Sequence, residues 1–230
     1  MLEVHEVEKL FSEHGASFVT SAESLSAKLR TIRALAFDWD GVFNAGAKGA
    51  GSASTFAEAD SMGTNLLRYA LWRQQGALPV SVVITGADNP SAVQFAQRER
   101  FSAVYSGIRN KAELGPALAK DFGVQASEMI YVFDDVNDLG LAAECALRCL
   151  VRRAASPLLQ EFAARRGLCD YITAASGGAY AVREVCELML GLLGCFEAVV
   201  ESRLTWDVEY AAYFAARQAV ETELSLKNSH

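Results

Sequence analysis

Apolar residues recur along this chain in three different rhythms. Between residues 1 and 31, Leu2, Val4, Val7, Leu10 and Phe11 fall near helical spacing. Ser21 stands where it would cap a second helix running through Leu25 and Leu29. From 32 to about 175, short β-type runs alternate with amphipathic stretches. Strands are predicted at 34–39, 80–85, 103–106, 130–134 and 147–151, with a sixth short run at 171–173. Helices are predicted between them at 63–75, 90–100, 111–122, 139–145 and 157–166. The strand runs are almost wholly apolar, as expected when helices cover both faces of a parallel sheet. The third rhythm is helical. A helix is predicted within 177–194, with Val182, Val185, Leu188, Met189 and Leu192 on one face. Beyond it, Phe196, Val200, Leu204, Val208, Ala212, Ala216 and Val220 fall at every fourth position and predict one long amphipathic helix over 196–224. The expected fold is therefore α/β, a three-layer sandwich around a central parallel Rossmann-like sheet, with N- and C-terminal helical extensions. The expected divisions are 1–31, 32–194 and 195–230.

Composition narrows the chemistry. The net charge of −7 argues against a general nucleic-acid binder. The longest apolar run, 188–196, is far short of the roughly 20 residues that span a bilayer, so no membrane span is expected. Five cysteines, at 145, 149, 169, 186 and 195, lack framework spacing and fit a cytoplasmic location. The three histidines sit at 5, 14 and 230, which leaves the body of the chain without one. Histidine-based triads and histidine-ligated zinc are thereby disfavoured. A catalytic centre in the body has carboxylates, hydroxyls and lysine to work with.

Ligands of an open parallel sheet bind beyond the carboxyl ends of its strands. The first predicted strand runs into Asp38-Trp39-Asp40-Gly41, and the second ends in Thr85-Gly86. Lys111 opens the helix after the third, and the fourth ends in Asp134-Asp135 with Asp138 following. Phosphoryl transfer suits this set. A carboxylate such as Asp38 can attack phosphorus if a cation offsets the repulsion of two anions. Asp38 and Asp134 would hold a hard divalent ion, Mg²⁺. Asp40 would protonate the leaving oxygen and later deprotonate water. The Thr85 hydroxyl, the Gly86 amide and Lys111 would bind the phosphoryl oxygens.

These motifs, DWDG, ITG, Lys111 and DDVND, resemble in order the four motifs of the haloacid dehalogenase-like (HAD) phosphatases. The match extends through ALAFDWDGVFN, FAEADSMGTNLL, VVITGADN, SGIRNKAELGPALAKDFGV, MIYVFDDVNDLGLA and SGGAYAVREVCELML. Over about 32–194 it resembles the cap-less branch typified by 3-deoxy-D-manno-octulosonate 8-phosphate (KDO 8-phosphate) phosphatase. That resemblance implies a Mg²⁺-dependent phosphomonoesterase acting on a small phosphorylated metabolite, a β-hairpin at 44–55 beside the site, and a homotetramer. It implies metal binding by Asp38, Asp134 and the Asp40 carbonyl, and places Asn44 and Asp60 as substrate-side candidates. Asp60 could instead cap the helix expected to start near Met62. Asp135 could reach the metal through water, and Asp138 could orient Lys111, or either could cap the next helix. The chain departs from the family at Phe133, where a glycine is usual, and at Ala59, Ala87 and Ala179, where arginines are usual. Two readings follow: a phosphatase whose substrate is not KDO 8-phosphate, or a catalytically weak oligomeric scaffold. A receiver-type phospho-acceptor domain is disfavoured, because the nucleophile motif lies on the first strand.

Overall fold

The structure, a computed structural model, describes residues 2–49 and 54–226. Residues 50–53, the middle of the expected hairpin, lie outside the described residues. In chain order the elements are α1 (Val4–Glu13), β1 (Ser17–Phe18), α2 (Ala22–Leu29), β2 (Ala34–Asp38), α3 (Glu58–Gln75), β3 (Val80–Ile84), α4 (Pro90–Glu99) and β4 (Ala103–Ser106). They continue with α5 (Leu114–Phe122), β5 (Met129–Phe133), α6 (Leu139–Ala142), β6 (Leu147–Arg152), α7 (Pro157–Arg165), β7 (Tyr171–Ser176), α8 (Ala181–Leu192), α9 (Phe196–Thr205), α10 (Val208–Gln218) and β8 (Glu223–Leu226). Short 3₁₀ turns at Lys111–Glu113 and Val136–Asp138 precede α5 and α6.

The strands form one sheet in the order β1-β7-β6-β5-β2-β3-β4-β8, parallel throughout except for the antiparallel edge strand β1. Side chains alternate between the two faces. Leu35 and Phe37 of β2 join Ile130 and Val132 of β5 in one apolar cluster, while Ala34 and Ala36 join Met129, Tyr131 and Phe133 in the other. Burial on both sides explains why these strands lack polar alternation. The chain leaves β2 toward β3 on one side and lies beside β5 on the other. The carboxyl ends of β2 and β5 therefore flank the point where strand order reverses, the place where such sheets bind ligands.

The terminal segments are more than helical extensions. Ser21 caps α2, which buries Ala22, Leu25 and Leu29, but the segment between α1 and α2 adds β1 to the sheet. At the other end, the single helix expected over 196–224 is two helices and a strand. Trp206 takes left-handed backbone (φ 51°) at the end of α9, and the Asp207 carboxylate caps α10 by accepting the Tyr210 amide at 2.8 Å. The every-fourth stripe is not the buried face: Leu204 is 80% exposed and Val208 88%. Burial follows Tyr210, Tyr213 and Arg217, whose three- and four-residue steps keep to one side of the helix. Tyr210 and Tyr213 pack with Leu66, Tyr69 and Ala70 of α3, and this packing carries the chain on to pair β8 with β4.

Candidate active site

Asp38 is the last residue of β2, and Asp134 follows β5 directly. Their carboxylates and that of Asp138 converge, with one oxygen from each within 4.8 Å of the others, and all three residues are buried. Lys111, 4% exposed, donates to Asp38 Oδ1 and to Asp138 Oδ1, both at 2.5 Å. Tyr131, from β5, donates its hydroxyl to the same Asp138 oxygen. Arg153, just beyond β6, pairs with Asp134. Gly41 makes the turn after β2 with φ 88°, and a Cβ there would collide with the Asp134 carboxylate. Gly177 is needed for a similar reason, because a Cβ there would collide with the Gly41 carbonyl.

Electrostatics follow from this crowding. Burial, reinforced by the Asp138 and Asp134 charges, raises Asp38 to about 8 despite the Lys111 ammonium. Burial also raises Asp134, with Arg153 opposing. Burial works against the Lys111 ammonium, but Asp38 and Asp138 outweigh it and hold its pKa above the ordinary value. Three converging hard oxygen donors with mutual repulsion suit a divalent cation, whose charge would favour their ionised forms.

The group opens into a cavity of about 570 Å³. Asp40, Gly86, Ala87, Asp135 and Asn137 line it with the carboxylate cluster, and Lys48, Arg109, Lys111 and Arg153 supply its positive charge. Asp40 takes its hydrogen-bond partners from outside the cluster. Its Oδ2 accepts from Lys48 and from Asn89 (3.2 Å), and its Oδ1 from Ser54 (3.1 Å). Gly86 lines the cavity, whereas the Thr85 hydroxyl is buried behind it and accepts the Ala87 amide at 3.4 Å. Phe133 packs in the core against Tyr131, ring centroids 5.3 Å apart, and does not fill the cavity.

Four expected placements change, the first being Thr85, whose hydroxyl is buried and bonded to the Ala87 amide instead of lining the cavity. Asn44 does not line the cavity; it ties its own loop together by donating to Trp39 O and Ser54 Oγ and accepting the Gly46 amide. Asp60 is fully buried inside the first turn of α3, which begins at Glu58 rather than near Met62. It accepts the Arg183 amide at the start of α8, leaves Oδ2 without a partner, and burial raises it to about 6. It therefore braces two helices and does not line the cavity. Asp135 lines the cavity rim, with its carboxylate accepting the Val136 amide as a cap, while Asp138 takes the third place in the acidic cluster. Lys48, Ser54, Asn89, Arg109 and Arg153 were not singled out from the sequence. Only Arg153 carried a usable signal, because it follows the predicted strand at 147–151, whose carboxyl end the strand-end rule also covers.

Comparison with known proteins agrees with this geometry. No family model matches the chain. KDO 8-phosphate phosphatase KdsC of Escherichia coli K12 is 30% identical over 187 residues, covering 78% of this chain and 92% of that protein. A HAD-superfamily subfamily III A hydrolase from Legionella pneumophila superposes with TM-score 0.65 at 28% identity, covering 79% of this chain and 94% of the other. KDO 8-phosphate phosphatase from Moraxella catarrhalis, solved with magnesium, phosphate and KDO, superposes with TM-score 0.64 at 27% identity, covering 78% and 98%. Buried carboxylates at a sheet's switch point, in a chain so closely related to such enzymes, identify a phosphoric monoester hydrolase that belongs to the HAD-like phosphatases of the KDO 8-phosphate phosphatase family.

Proposed function

We infer that this phosphatase hydrolyses a small sugar phosphate through an aspartyl phosphate on Asp38. The observation that carries the reading is the convergence of Asp38, Asp134 and Asp138 around Lys111. An Asp38 carboxylate oxygen forms a bond to phosphorus while the bond from phosphorus to the ester oxygen breaks. Asp40 gives its proton to that departing oxygen. Water then attacks phosphorus, Asp40 takes its proton, and the bond to Asp38 breaks to release phosphate. Lys111 and the Gly86 amide hold the phosphoryl oxygens as charge shifts among them. Asp38, Asp134 and the Asp40 carbonyl would hold Mg²⁺, with Asp138 beside them on Lys111, and the ion would add positive charge beside the same oxygens.

Lys48, Arg109 and Arg153 line the cavity, whereas the chain has alanine at positions 59, 87 and 179, where arginines are usual in the family. Different cations in different places support an ester other than KDO 8-phosphate. Residues 32–194 form the catalytic unit in this reading, and the parts before and after brace it. Assembly as a homo-oligomer and a cytoplasmic location belong to the same reading. The five cysteines are free, four of them buried, and no helix among the described residues is long and apolar enough to cross a membrane.

The test is a panel of sugar phosphates assayed with Mg²⁺ and with chelator. Turnover of at least one ester above its chelated control is expected. No metal-dependent turnover on any ester would favour the scaffold reading, and preference for KDO 8-phosphate would overturn the altered specificity.

A further inference from the structure

Four cations line the cavity, and three of them already hold carboxylates. Lys111 holds Asp38 and Asp138, Arg153 holds Asp134, and Lys48 holds Asp40. The Arg109 side chain is exposed and has neither an ion pair nor a hydrogen bond among the described residues. Its backbone is nonetheless held on both sides. Before it, Ile108 is buried, and its amide donates to the Thr85 carbonyl at 3.2 Å. After it, the Asn110 side chain donates to Glu113 Oε1 at 3.0 Å, and Lys111 is buried in the acidic cluster. Gly86 lies against the same loop, since a Cβ there would stand 3.5 Å from the Ile108 carbonyl oxygen. One guanidinium without a counter-charge is thus presented from a fixed loop, beside the two groups assigned to the phosphoryl oxygens, Gly86 and Lys111.

We propose that Arg109 is a specificity-determining residue that binds the carboxylate of a short phosphorylated sugar acid. This rests on the reading of the cavity as a phosphatase site. Arginine offers a planar fork of N–H donors that matches a carboxylate in a bidentate pair. One guanidinium balances one negative charge, which a carboxylate carries and a second phosphoryl group exceeds. The spacing sets the length of the ester. Arg109 and Lys111 are two residues apart, at most ~7 Å of chain, so a carboxylate gripped by Arg109 lies within an arginine's length of the loop that binds the phosphoryl group. KDO 8-phosphate carries its two anionic groups at opposite ends of an octulosonate chain. The ester that Arg109 reads is glycerate-sized.

The test measures kcat/KM with Mg²⁺ on two matched pairs, 3-phosphoglycerate against glycerol 3-phosphate and 6-phosphogluconate against glucose 6-phosphate. Wild type should favour the acid about tenfold in the short pair and by less in the long pair. Arg109→Gln should bring the short-pair ratio to near one. Arg109→Lys, which keeps the charge without the fork, should keep part of it. An equal loss on acid and neutral ester in Arg109→Gln overturns the proposal, as does a ratio that survives that substitution and falls in Lys48→Gln or Arg153→Gln. A ratio as large in the long pair overturns the short ester, and preference for propane-1,3-diol bisphosphate over 3-phosphoglycerate overturns the carboxylate. Turnover of other esters but of neither acid also overturns the proposal. If no ester at all is turned over, the phosphatase reading itself fails, and calorimetry of the wild type with Mg²⁺ judges Arg109 separately. There 3-phosphoglycerate should bind about tenfold more tightly than glycerol 3-phosphate, and Arg109→Gln should erase the difference. Equal or absent binding of the two by wild type overturns the proposal.

Discussion

Asp38 and Asp170 are buried aspartates on the same parallel sheet, and their carboxyl groups are held in opposite ways. Asp38 ends β2, at the carboxyl edge of the sheet, while Asp170 immediately precedes β7, at the amino edge. Burial pushes both upward. At Asp38 two further carboxylates reinforce that push, and a single lysine opposes it. At Asp170 the arginine of Arg148, the hydroxyl of Thr20 and the amine of Lys28 outweigh burial and lower the group to about 2. Asp170 is a satisfied anion that pins residues before β2 to the sheet, for Thr20 and Lys28 both come from the N-terminal segment. Asp38 is an unsatisfied one, and its unmet demand for positive charge is what a metal and a phosphoryl group can answer. One residue type in one fold thus serves stability at one edge and reactivity at the other.

The comparison breaks most visibly by mutation. Asp38→Asn should lower phosphate-ester hydrolysis by about a thousandfold or more. In chelator above about pH 8, where the metal-free Asp38 is ionised, it should melt no lower than wild type, because it removes a repelled charge. A clearly lower melting temperature would make Asp38 structural. Asp170→Asn should do the reverse, losing about 2–3 kcal/mol in denaturant unfolding while each folded molecule keeps its activity. The smallest effect is in acid. Asp170 sits near 2 when folded against about 3.9 unfolded, so its stabilisation is present above about pH 4 and fades as pH falls toward 2. The stability gap between wild type and Asp170→Asn should narrow over that window. A constant gap would show that the charge of Asp170 is not what holds the segment.

The same contrast bears on what could be read from the chain alone. The core strands, and the carboxylates at the ends of the first and fourth of them, were legible because apolar runs locate buried parallel strands and the strand-end rule locates their ligands. Asp60 was misplaced because its partner, the Arg183 amide, lies 123 residues away. The two-helix C-terminus was hidden behind a four-residue period, which mimics a helix face until Trp206 and Asp207 break it. Ser54 gave no signal, since a serine among glycines and alanines meets Trp39 and Asn44 only in the folded chain.

The central claim is that Asp38 carries the phosphoryl group. Wild-type protein turning over a phosphate ester with Mg²⁺ can be quenched in acid and reduced with borohydride, which converts an aspartyl phosphate to homoserine. Peptide mass spectrometry should then find homoserine at position 38 and nowhere else. Homoserine at Asp40 or Asp134, or none at any position during sustained turnover, would contradict the account.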